Sequence, residues 1–115
     1  MIEYWAGYTR DEVRAAVTGH ADYAEKGKDI VCAGASMMIG ALGAAALEAG
    51  ELIEDRAEDG RELVRARRTG RTECYLKMFM DGMKALSNSY PDHVRAGRGE
   101  TAGAQVVTCR QEVTG

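Results

Sequence analysis

The chain carries no excess of basic charge. Its 15 lysines and arginines stand against 18 aspartates and glutamates, a net charge of −3 over 115 residues. A dedicated DNA or RNA binder normally shows the opposite bias, so no direct nucleic-acid binding is expected, whereas a basic protein substrate is compatible with this balance. Also missing is an unbroken apolar run of the roughly 20 residues that span a bilayer. The longest candidate, Ile30 to Leu47, is rich in alanine and glycine and is interrupted by Ser36. The start of the chain shows neither a basic segment nor a cleavage-site pattern, so no signal peptide and no membrane association are expected. Cysteines are few: Cys32, Cys74 and Cys109 form an odd, unpatterned set. They read as reduced thiols of a cytoplasmic protein. With His20 they lack CxxC-type spacing, so neither a metal nor a cofactor is expected.

What remains is an ordinary globular composition, 45% hydrophobic and 29% charged, of a length suited to one domain. In Met1 to Tyr8 the residues Ile2, Tyr4, Ala6 and Tyr8 alternate. In Glu12 to Gly19, Val13, Ala15 and Val17 do the same, and the pair predicts an antiparallel hairpin. Gly19 to Lys28 has no apolar period and reads as a loop of about ten residues, long enough to suggest a functional segment. Asp29 is a good N-cap for a helix running to about Glu48, apolar enough to be buried on most sides, with Gly50 closing it. Glu51 to Ala57 and Glu62 to Arg68 flank the turn Glu58-Asp59-Gly60 as a second, more polar hairpin. Thr72 is the predicted cap of a second helix, with Tyr75, Met78, Phe79, Met83 and Leu86 at helical spacing, ending near Tyr90-Pro91.

The fold class is therefore α+β: two β-β-α units, an antiparallel or mixed sheet with helices packed against it. Residues 1–97 form the domain, and residues 98–115 form a tail or an added edge strand around Val106 to Cys109. His93 reads as a turn residue, Cys74 as a core or partly exposed thiol, and the methionines Met37, Met38, Met78, Met80 and Met83 as core or dimer packing.

One place combines a nucleophile, a base and a helix terminus. Cys32 falls in the first turn of the apolar helix, where backbone N–H groups are unpaired and the helix dipole is positive. That setting favours the thiolate, the reactive form. His20 lies across the loop and is the natural acceptor for a thiol proton. The same N–H groups are candidates for holding an oxyanion.

The string Gly19-His20-Ala21-Asp22-Tyr23-Ala24, then Gly27-Lys28-Asp29-Ile30-Val31-Cys32-Ala33 and Ser36, closely resembles the signature of the ribosomal-processing cysteine protease family, Prp. The family reads Gly-His-Ala, a Tyr-Ala pair, a Gly, then Asp-Ile-Val-Cys-Ala-Ala-Val-Ser. The resemblance implies a homodimeric cysteine endopeptidase that trims the N-terminal extension of a large-subunit ribosomal protein through a Cys-His dyad. Cys32 matches the nucleophile and His20 its base, while Asp29 and Ser36 match the family's Asp and Ser beside the dyad. Asp29 can cap the helix and help orient His20. Ser36, one turn beyond Cys32 on the same face, can hydrogen-bond near the thiol or simply pack. Gly19 and Gly27 either let the loop move over a bound peptide or only permit turns. This chain departs from the pattern in Gly34-Ala35 before Ser36, in a first hairpin shorter than usual and in the tail. Those departures leave open a phage or prophage homologue acting on a capsid or scaffold protein, and a non-enzymatic assembly protein with the same fold.

Overall fold

The computed structural model describes residues 1–97 and the pair 105–106. Strands β1 (Ile2–Tyr8) and β2 (Glu12–Thr18) lead to helix α1 (Ile30–Glu48). Strands β3 (Leu52–Glu58) and β4 (Arg61–Arg67) lead to helix α2 (Gly70–Ser89), and β5 (Val94–Ala96) and β6 (Gln105–Val106) follow. The two β-β-α units are thus present, and they share one mixed sheet in the order β3-β4-β2-β1-β5, with β6 also on β1.

Both hairpins follow from alternation. Tyr4 opposes Val17 and Ala6 opposes Ala15 across β1 and β2, and Ala15 opposes Val64 across β2 and β4. These side chains share one face of the sheet because strand side chains alternate. That face is the core. It is completed by Val31, Ala35, Ile39, Leu42 and Ala46 of α1, by Leu76, Phe79 and Met83 of α2, and by Val94 of β5. The opposite face carries Arg65, which bridges Glu12 on β2 and Glu54 on β3.

The helix ends are specific. Asp29 caps α1 through its side chain. At the other end Gly50 is left-handed (φ 72°), its N–H reaches Leu47 O, and the next N–H, of Glu51, reaches Ala46 O. This is the Schellman closure that glycine allows. Thr69, not Thr72, caps α2. The two threonines form a reciprocal box in which each hydroxyl accepts from the other's backbone N–H, so Thr72 is the inner partner, one turn into the helix.

Three expectations change in three dimensions. Helix α1 is long and apolar enough to cross a membrane by length and composition, with a mean hydropathy of 2.0, yet it lies on the sheet with one buried face. Nor is it buried on most sides: Ile30, Met37 and Leu47 are exposed, Met37 at 71%. Among the described residues, the sheet and α2 cover one stripe of the helix only. A fifth strand is present that the alternation did not predict, Val94–Ala96, which pairs parallel with β1 at Ile2–Tyr4. Gln105–Val106 adds antiparallel at Gly7–Tyr8. The remainder of the proposed strand to Cys109, and Cys109 itself, lie outside the described residues.

Candidate active site

The loop between β2 and α1 leaves the sheet at Gly19, which is left-handed (φ 88°). Its N–H donates to Gly60 O in the β3–β4 turn at 2.8 Å. A side chain at 19 would collide with the carbonyl oxygen of Met1, 2.3 Å from an ideal Cβ, so both conformation and space require glycine here. Gly27, near the far end, is also left-handed (φ 89°) but has open space around it, and only its backbone geometry asks for glycine.

Between these ends the chain makes one inward step. Ala21 is buried, and its backbone N–H donates to Cys32 Sγ at 3.3 Å. Asp22 then takes a left-handed conformation (φ 54°) and turns the chain outward again. Cys32, half-buried, faces an open cavity of about 630 Å³ that it shares with His20, Asp29, Ser36, Asp59 and Glu62. The structure therefore places the thiol and the imidazole on one cleft. It does not bond them. The His20 ring lies over Gly60, with Nε2 3.9 Å from Asp59 Oδ1. The carboxylate beside the imidazole is thus Asp59, from a hairpin turn 39 positions along the sequence, and not Asp29.

Asp29 is committed elsewhere. One carboxylate oxygen accepts from the N–H groups of Val31 and Cys32, and the other from those of Tyr23 and Ala24. Burial works to raise its carboxyl. The four backbone bonds outweigh that, with Cys32 first, and hold it below the ordinary aspartate value. Its main-chain oxygen also takes the N–H of Ala33. The first-turn donors of residues 31, 32 and 33 are therefore all engaged, and the expectation that they are free to hold an oxyanion is corrected. An efficient cap consumes the very groups that would have served. Ser36 sits on the cleft wall and donates to Glu62 Oε1 at 3.0 Å, so its bond goes to β4 and not to the thiol.

Two residues near the site carried no local signal. His93 Nδ1 is 2.8 Å from Ala21 O, and Tyr23 packs edge-on against both His93 and Tyr90. Nothing in the run Tyr90-Pro91-Asp92-His93 points to this, because β5 must first pair with β1 to bring it there. Cys74 is an exposed thiol on α2, away from the cleft.

Hydrolysis of a peptide bond by sulfur asks for a thiol at the edge of an accessible groove with an imidazole in the same groove, and Cys32 and His20 line one open cleft here. The class is that of the cysteine proteases. The chain belongs to the cysteine protease Prp family, whose model matches residues 1–95. Solved structures agree in fold. The essential ribosomal processing protease Prp of S. aureus, in complex with a covalently linked product peptide, superposes with a TM-score of 0.72 at 23% identity, covering 84% of this chain and 97% of that one. The same protease with a substrate peptide gives 0.65 at 22% identity, covering 84% and 98%. SMU.848 from Streptococcus mutans gives 0.62 at 24% identity, covering 84% and 91%. No curated protein matches the chain significantly.

Proposed function

We propose that this protein is an endopeptidase in which Cys32 is the nucleophile and His20 its proton carrier, acting in the cytoplasm on the N-terminal extension of a large-subunit ribosomal protein. The observation that carries the reading is the half-buried thiol at the start of α1, sharing one open cavity with an imidazole at its rim. Family membership and the ribosomal processing activity of the S. aureus neighbour support the substrate class.

In the reaction, His20 takes the thiol proton as Sγ attacks the scissile carbonyl carbon. It returns that proton to the leaving amine as the C–N bond breaks, and water then releases the acyl group from sulfur. Because the ring rests over Gly60 beside Asp59, it must swing toward Cys32 when a peptide fills the cleft. Catalytic hydrogen bonds are often long before substrate arrives.

The working unit is proposed to be a homodimer. What supports this is the uncovered stripe of α1, where Ile30, Met37 and Leu47 are exposed among Ala33, Ala41 and Ala44, small residues that let a second helix approach closely. The test of the activity is to incubate the protein with ribosomal precursor proteins from its own genome and to sequence the new N-termini. Cys32→Ala is expected to fold as wild type and to cleave nothing. Retained cleavage by purified Cys32→Ala would end the reading.

A further inference from the structure

The second histidine of the chain stands behind the nucleophile. His93 lies at the turn between α2 and β5, 72 positions from Ala21 in sequence, and its Nδ1 is 2.8 Å from the carbonyl oxygen of Ala21. A carbonyl oxygen only accepts, so Nδ1 carries the proton in this contact. Ala21 is the residue whose N–H donates to Cys32 Sγ at 3.3 Å. Its methyl group is buried in the core. Residue 21 is thus held at three points: the sulfur on its N–H, the core on its side chain and the imidazole of His93 on its carbonyl.

The His93 ring is itself fixed. It meets Tyr23 edge-on with ring centroids 5.3 Å apart, and its backbone bonds at both ends. Its N–H donates to Tyr90 O at 3.0 Å, and its O accepts from Ile2 N at 2.8 Å. A donor locked by packing and backbone bonds positions its partner most accurately.

We infer that His93 is a positioning residue of the protease site. By holding Ala21 O it fixes the Ala21 N–H on the Cys32 sulfur and sets where the chain presents His20. Its polar contact is with the Ala21 carbonyl, so it acts through residue 21. The inference rests on Cys32 being the nucleophile, and the experiment separates the two ideas.

His93→Asn keeps an N–H donor near the place of Nδ1, whereas His93→Phe keeps a ring against Tyr23 and removes the donor. The readouts are kcat and KM for the processed peptide and the rate at which iodoacetamide alkylates Cys32, with Cys32→Ser run in parallel. His93→Phe is expected to lower kcat about tenfold, the usual order for a modest misplacement of a reacting group. KM should stay within about twofold and the alkylation rate should change. His93→Asn is expected to stay within about threefold of wild type. Rates are taken only from variants with the wild-type circular dichroism spectrum. Should His93→Phe not reach that standard, His93→Leu and His93→Gln make the same comparison without a large ring. Wild-type kcat and alkylation in a folded donor-free variant would overturn the inference, as would equal losses with and without the donor. Cleavage by Cys32→Ser at the wild-type rate would instead overturn the assignment of the nucleophile.

Discussion

One carboxylate, that of Asp29, joins the start of α1 to the outward turn of the loop. Its two oxygens can be separated by substitution. Asparagine at 29 keeps one accepting oxygen for the N–H groups of Val31 and Cys32 but presents an amide nitrogen to Tyr23 and Ala24, which cannot accept. Asp29→Asn is therefore expected to leave the helix intact and to release the loop, with cleavage slowed about tenfold and stability lowered by less than about 1 kcal/mol. Asp29→Ala loses both attachments and should cost about 1–2 kcal/mol. Urea unfolding and cleavage rates measured side by side check the separation. At this scale the sequence was informative where residues act locally. Asp29 announced itself as a cap three positions before Cys32, and Gly19 and Gly27 announced the loop's ends. It was uninformative where a partner arrives from afar: Asp59 beside His20, Glu62 under Ser36 and His93 on Ala21 all come from other elements.

Among the elements, the ladder β2-β4-β3 carries an ionic cluster on its open face. Arg65 grips Glu12 with two nitrogens, at 2.8 and 2.9 Å, and reaches Glu54 with a third at 3.2 Å. The Arg65 hydrogen bonds are the main reason that Glu12 sits at about 2 in place of 4.5, with Arg14 adding to the effect against the opposing pull of burial. A carboxyl lowered on folding stabilises the native state above its unfolded value and loses that contribution as pH falls through the folded one. Glu12→Gln is thus expected to cost about 1 kcal/mol at neutral pH, in the range of a good exposed pair. The gap to wild type should close between pH 4.5 and about 2, as followed by thermal unfolding across pH. Strands and helices were legible in the sequence because alternation and helical spacing are local signals. β5 was not, because three residues, Val94–Ala96, are too few to show a period and pair only with the far end of the chain. The threonine box was misplaced by one turn because either threonine is an acceptable cap and only the backbone N–H geometry distinguishes them.

For the molecule as a whole, one face of the sheet carries both helices, and no other described residues cover the outer side of α1. An apolar side chain exposed as fully as Met37, at 71%, in the middle of a helix of mean hydropathy 2.0 is the natural centre of a symmetric contact. For the proposed homodimer, Met37→Glu is expected to leave a monomer in analytical ultracentrifugation with an unchanged circular dichroism spectrum. A sedimentation coefficient that ignores this substitution would remove α1 as the contact. The placement of β5 has a further consequence. Strand β1 is completed by a strand far along the sequence: Ile2 N donates to His93 O, and Ile2–Tyr4 pairs with Val94–Ala96. On the proposed role of His93, the site takes its final form only once Val94–Ala96 is free to pair with β1 and carry that ring to the Ala21 carbonyl.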